Sequence, residues 1–230
     1  MSRVLPILFN TDMVRAIMDR RKTATRRVVK KLPDDAEFSG WLLDSTCQED
    51  AKDIGSAGFK TLKHPTEKAG CIFVKPPYQQ GDILYVRETW SELSFGYAYK
   101  ADGENIDHLG NAIKWRPSIH MPKEAARIWL KVKDVRVERL QEITEEQVDA
   151  EGFRFKPPCL SRVSADGHYC DLNGPCTSSI KYCDMSMGEL FGKELWNSTI
   201  KKSDIDRYGW DANPWVWVIE FERCEKPEGW

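Results

Sequence analysis

The segment Trp215 to Arg223, Trp-Val-Trp-Val-Ile-Glu-Phe-Glu-Arg, constrains the fold of this chain more than any other. Its β-branched and aromatic residues favour a strand, and it is apolar on both faces at first. A strand of that kind lies centrally in a sheet or barrel. Other strands are predicted near 5–9, 24–29, 72–75, 83–90, 97–101 and 128–139. The last alternates through Ile128, Leu130 and Val132, then resumes at Val135 and Val137. The slip at Lys133-Asp134 predicts a bulge or a turn. A helix over 11–20, capped by Asn10 or Thr11, places Met13, Val14, Ile17 and Met18 on one face. Thr144 to Gln147 reads as a capping box that starts a short helix closed by Gly152. Met187 to Asn197 predicts another helix, with Leu190, Phe191 and Leu195 on one side. Many strands and few helices predict a mixed α+β, mainly β chain: a small closed barrel decorated by helices. Residues 32–70 and 154–185 lack clear periodicity. They read as inserts lying outside the barrel of a single domain spanning 1–230.

At 230 residues and 41% hydrophobic content the chain can bury a core, which excludes wholesale disorder. Its apolar runs fall far short of the ~20 residues a transmembrane helix needs. The opening Met-Ser-Arg-Val-Leu-Pro has no signal-peptide stretch, so a cytoplasmic protein without membrane contact is predicted. The charge is uneven. Residues 1–31 hold nine Lys/Arg and two acids, a surplus of seven cations, whereas the whole chain is at -2, which leaves -9 for the other 199 residues. A basic patch in an acidic protein attracts polyanions locally. The competing reading is a solvated helix face beside acidic neighbours.

The densest cationic segment is Arg20-Arg21-Lys22-Thr23-Ala24-Thr25-Arg26-Arg27, where the first helix meets the second strand. It resembles the Gly-x-Lys-x-x-x-x-Arg signature of the ASCH domains, a branch of the PUA-like superfamily. Lys22 matches the lysine and Arg27 the arginine, with Arg20 at the glycine position. Gly81 to Trp90, Trp115 to Pro122 and Trp210 to Val218 resemble further blocks of phage and prophage proteins of this family. The resemblance implies a PUA-like β-barrel in a phage- or prophage-encoded protein of a bacterial host cell. It also implies binding of RNA, single-stranded nucleic acid or a modified nucleobase or nucleoside, with no cofactor.

One branch of the family resembles an amidohydrolase acting on acetylated cytidine, which implies Lys22, Thr25 and Glu88 as its catalytic set. A threonine hydroxyl needs a base to take its proton. A lysine serves only if burial or neighbouring cations depress its pKa, and Arg20, Arg21, Arg26 and Arg27 push that way. Glu88 shares a strand face with Leu84 and Val86, where an isolated carboxylate needs a partner. Lys22 is the expected one. The bland reading is a structural Lys22–Glu88 ion pair with Thr25 as a β-former.

Arg21, Arg26, Arg27, Arg87 and Arg116 suit phosphates or base edges. Trp90, Tyr99 and Trp115 can stack on a base or simply pack. Arg116, Ser118 and His120 recur at period two and so line one face of an extended segment. Cys159, Cys170, Cys176 and Cys183, with His168, crowd one insert, yet no Cys-x-x-Cys spacing supports zinc, and no metal site is assigned. Cys47, Cys71 and Cys224 read as ordinary buried thiols. The first reading is a module binding RNA or a modified nucleobase. The alternatives are a hydrolase of N-acylated nucleosides or a nuclease, and then a phage assembly protein.

Overall fold

The computed structural model describes residues 2–46, 48–61, 71–154 and 185–229. Strands outweigh helices in a mixed α+β architecture. The main sheet has five strands: β1 (Val4–Leu8), β2 (Ala24–Val28), β6 (Ile83–Arg87), β9 (Trp129–Arg139) and β10 (Trp215–Cys224), in the order β1-β6-β9-β10-β2. β1 runs parallel to β6 and the other pairs are antiparallel. β3 (Ala36–Trp41), β4 (Ala57–Thr61) and β5 (Cys71–Val74) form a second sheet, and β7 (Trp90–Leu93) pairs with β8 (Gly96–Tyr99) as a hairpin.

The strands read from the sequence are present, with the one expected over 83–90 divided into β6 and the start of β7 in another sheet. β10 is central, with residues 216–219 all buried. The slip is a bulge: Val132 faces Phe221 and Asp134 faces Glu220, so Lys133 is the extra residue. Helix α1 (Thr11–Met18) is capped by Asn10, whose side chain accepts from the Met13 amide. It buries Val14 and Ile17 and leans Met13 and Met18 on the core. Thr144 and Gln147 form the capping box of α2 (Glu145–Ala150), which ends at Gly152 with φ +75°. Helix α3 (Met187–Leu190) continues through a π-helical turn at Phe191–Trp196 into α4 (Asn197–Thr199), and α5 (Ile205–Tyr208) follows. Gly192 in that turn lies flat against Trp210: a Cβ there would sit 2.1 Å from the ring.

Two expectations are corrected. First, no closed barrel forms among the described residues. β1 and β2 remain the edges of an open sheet, and the side chain of Arg27 on β2 spans between them, donating to the Leu8 carbonyl on β1 at 3.0 Å. The outward side of β1 is obstructed at Pro6. Pro6 has no N–H, and its carbonyl accepts from the Tyr78 hydroxyl at 2.8 Å. Second, the described residues of the 32–70 segment, 32–46 and 48–61, are not an excursion outside the core. β3 and β4 join β5, and Ala36, Ala57 and Phe59 are buried in the same cluster as Ile7, Leu84, Trp217 and Ile219. The periodicity is hidden because a bulge between Phe38 and Gly40 shifts the register. The other insert lies, from 155 to 184, outside the described residues. No helix of the described residues is long and apolar enough to cross a membrane.

The turn into β6 is held by Asp82. Its carboxylate accepts from the Gln79 amide at 2.7 Å, from the Arg3 amide and from the Arg3 guanidinium. Burial alone would push this carboxyl up, but these donors outweigh it and its pKa falls below the ordinary 3.8. Its contribution is therefore present above that value and disappears as pH falls through the lower folded pKa. Asp82→Asn should cost about 1–2 kcal/mol in urea unfolding at neutral pH. The gap to wild type should close in acid, below pH 4; a gap constant down to pH 2 would contradict the assignment.

Candidate functional site

The basic segment is largely turned inward. α1 ends at Asp19, and Arg20 takes the left-handed conformation, φ +60°. That residue reverses the chain so that Lys22 points into the protein, 2% exposed. Its ammonium donates to the Ala24 carbonyl at 2.8 Å, the Glu151 carbonyl at 2.9 Å and a Glu151 carboxylate oxygen at 2.6 Å. Three donors meet three acceptors, which is a complete set for a protonated lysine. Burial is the largest influence on Lys22 and lowers its pKa; Glu151 pushes it back up, while Arg27 and Arg26 add to the lowering.

Lys22 thus pairs with Glu151, and Glu88 has a different partner. Glu88 is buried where the alternation with Leu84 and Val86 places it. It takes both arms of Arg127, at 3.0 and 3.1 Å. Arg127 also reaches Asp102 at 2.9 Å and lies 3.9 Å over the Tyr99 ring. Burial raises the Glu88 pKa against the pull of Arg127. The three residues expected to converge therefore divide between two ion-pair centres.

Sequence reasoning passed over Glu151 and Arg127. One signal for Glu151 was present: it is an acid at the C-terminal end of α2, where the helix dipole disfavours negative charge. Gly152 brings that end against the Lys22 turn. A Cβ on Gly152 would stand 2.8 Å from the Ala16 Cβ and 2.9 Å from the Lys22 Cβ.

Arg26 is as buried as Lys22. It reaches Glu151 at 3.3 Å, Glu138 at 3.3 Å and Gln147 at 2.7 Å, while its Nε is buried without a partner. Thr25 is 1% exposed and pairs across β10 with Ile219. Beside Thr25, Arg26 and Glu151, against Leu195 and Thr199, lies a cavity of about 20 Å³. That is room for about one water, not for a nucleoside.

The remaining predicted residues are scattered. Arg21 pairs with Asp19 at 2.9 Å and donates to the Gly152 carbonyl. Arg87 donates to the Met121 carbonyl at 2.7 Å. Trp90 is buried, with the Arg116 guanidinium 5.2 Å from its ring centre. Tyr99 is tied through its hydroxyl to the Ala125 carbonyl. Ser118 and His120 belong to a 3-10 turn, so the period-two face expected for Arg116, Ser118 and His120 does not form. Cys71 and Cys224 are half-buried free thiols. Cys47, His168 and the four cysteines of the second insert lie outside the described residues.

Arg20 is exposed at the turn, and a second group of cations gathers at the end of β2. Arg27, Lys30, Lys31 and Lys75 line a cleft of about 430 Å³ with Tyr78 and Trp217. Among the described residues no acid lines it. Arg27 is opposite Trp217 across the β2–β10 ladder, so both stand on one face. Its guanidinium is 5.5 Å from the Phe9 ring centre and holds the Leu8 carbonyl. Burial lowers the Arg27 pKa, with Glu151 opposing. Lys30, Lys31 and Lys75 are exposed there and can take a phosphate beside the half-buried Tyr78 ring, whereas Trp217 is 3% exposed and packs against Trp41 in the core.

No family model matches the chain, and no similar curated protein or solved structure is found. The site is therefore read from its own geometry. Glu151→Ala leaves a buried ammonium and a buried guanidinium short of their carboxylate and should cost about 3–5 kcal/mol in denaturant unfolding. Glu88→Ala should cost less, about 1–3 kcal/mol, because Arg127 is partly solvated and keeps Asp102. The reverse ranking would mean that Glu88 is the partner of Lys22 after all.

Proposed function

We propose that this chain is a binding module for single-stranded RNA or a related single strand bearing modified bases, built on a PUA-like arrangement of its main sheet. The observation that carries this reading is the cleft of Arg27, Lys30, Lys31 and Lys75 beside Trp217 and Tyr78. Exposed lysines for phosphates, with the half-buried Tyr78 ring beside them, are what the backbone of a single strand requires. The conformation of Arg20 supports the ASCH resemblance. The residue at the family's glycine position adopts φ +60°, the backbone that glycine favours.

Binding is preferred to hydrolysis for a physical reason. As a base for Thr25, Lys22 needs a lone pair. Its nitrogen instead donates to three acceptors, and Glu88 is engaged by Arg127. The 20 Å³ cavity beside Thr25 leaves no room for an acylated nucleoside.

Lys30 and Lys31 are exposed, whereas Arg26 is buried in ion pairs. Substituting Arg26 would confound binding with unfolding, so the lysines are the informative positions. Lys30→Glu with Lys31→Glu should leave the melting temperature nearly unchanged and weaken binding to a fluorescent oligouridylate. Each phosphate that is no longer neutralised takes about 0.7 from the slope of log K against log salt, so the double variant should flatten it by about 1.4. A wild-type protein with no salt-dependent affinity for single-stranded RNA or DNA would end this reading.

A further inference from the structure

A larger cleft, of about 720 Å³, lies beside the cationic one. The chain leaving β2 is the wall between them. Val28, Lys30 and Lys31 line the cationic cleft, while Val29, Leu32 and Asp34 line the larger one. The floors are related through β10. Trp217 belongs to the first cleft and Trp215 to the second. Being two apart on a strand, they share a face and stand roughly 7 Å apart.

The larger cleft is built to hold charge. Arg139 lies over Trp215, 4.3 Å from its ring centre, and is pinned by the Asn213 carbonyl at 3.1 Å and the Ala36 carbonyl at 3.3 Å. Trp215 is itself fixed by its indole N–H on the Ala36 carbonyl at 2.7 Å and by the rings of Phe38 and Phe59. Arg207 lies over Tyr208 and donates to the Leu32 carbonyl at 2.9 Å. Neither arginine forms an ion pair among the described residues, although Asp34 and Asp206 line the same cleft. By contrast Arg3, Arg21, Arg26, Arg127 and Arg136 are all paired with carboxylates. Two oriented guanidiniums kept from the acids around them retain N–H donors for an anion, at little cost in ordering on binding. Asp34 and Asp206 offer acceptors to the N–H groups of a base, the N3–H of uracil among them.

We propose that this cleft is a second nucleotide subsite, continuous with the cationic cleft across the Lys30–Lys31 ridge, with Arg139 and Arg207 taking a phosphate of the same strand. The proposal rests on the single-strand reading and deepens it: the ligand is an oligonucleotide spanning both clefts, not a lone nucleoside.

The test crosses ligand length with mutation. Uridine monophosphate and oligouridylates of two to eight nucleotides are titrated at fixed salt against wild type, Arg207→Gln, Arg207→Lys, and Lys30→Glu with Lys31→Glu. Arg207 is exposed and its removal leaves the core intact, which unchanged melting temperatures check. Wild type should gain affinity with length. Arg207→Gln should lose roughly tenfold on the longer oligomers, as expected for one charge-assisted hydrogen bond, and nothing on the monophosphate. Arg207→Lys should recover part of the loss, and the double lysine variant should weaken every length. If Arg207→Gln binds all lengths like wild type while the lysine variant is impaired, the second subsite is wrong and the first cleft stands. If Arg207→Gln weakens the monophosphate as much as the octamer, the two clefts are not one track. Loss of all oligonucleotide binding in wild type removes both.

Discussion

The contact between Lys22 and Glu151 organises this molecule. The two residues are 129 positions apart, and their pairing joins three elements: the end of α1, the start of β2 and the end of α2. The Thr23 amide donates to the Ala150 carbonyl beside it, at 2.7 Å, so backbone and side chains make the same junction. Glu151 also answers Arg26, which in turn reaches Glu138 on β9. Lys22, Arg26 and Glu151 are all buried. Replacing such a group with apolar residues is often neutral, but removing one member is costly.

This junction also redistributes the charge. Lys22, Arg21 and Arg26 fall within the run that looks like a polyanion surface in the sequence, yet each is committed to a carboxylate of the same chain. Apart from Arg20, exposed at the first turn, the cations left to solvent lie further along, at Lys30 and Lys31, where Lys31 turns the chain with φ +67°. A basic run in a linear sequence thus becomes two things in space, a neutralised core and a cationic rim. Alternation along a strand decides which residue joins which. Arg26 faces the helices, while Arg27, one residue on, faces Trp217.

The parts of the fold legible beforehand were those set by local rules. Apolar and β-branched runs, with alternation in β9, located β1, β2, β5, β6, β8, β9 and β10. A two-residue slip located the bulge at Lys133, and side-chain chemistry located the caps at Asn10 and Thr144. β3 and β4 escaped because Gly40 and Gly58 interrupt their pattern and the bulge after Phe38 breaks its period. In the site, burial of Glu88 was legible from its face, but its partner was not. Lys22 and Arg127 are both distant in sequence, and pairing at such range is decided by topology. The cleft residues Lys75 and Tyr78 come from a loop that meets β2 only in the folded chain, so no spacing rule could place them there.

An open sheet with two bare edges invites another strand, from a neighbour or from a second copy, and such addition is a common route both to recognition and to fibrous aggregation. Here both borders are blunted by different means. Along β1, Pro6 supplies no donor, Tyr78 takes its carbonyl, and Arg27 takes that of Leu8. Along β2, the Lys22 ammonium occupies the carbonyl of Ala24. An incoming backbone would find these acceptors already engaged. A strand added to either border of the main sheet would have to displace these side chains before its ladder could form.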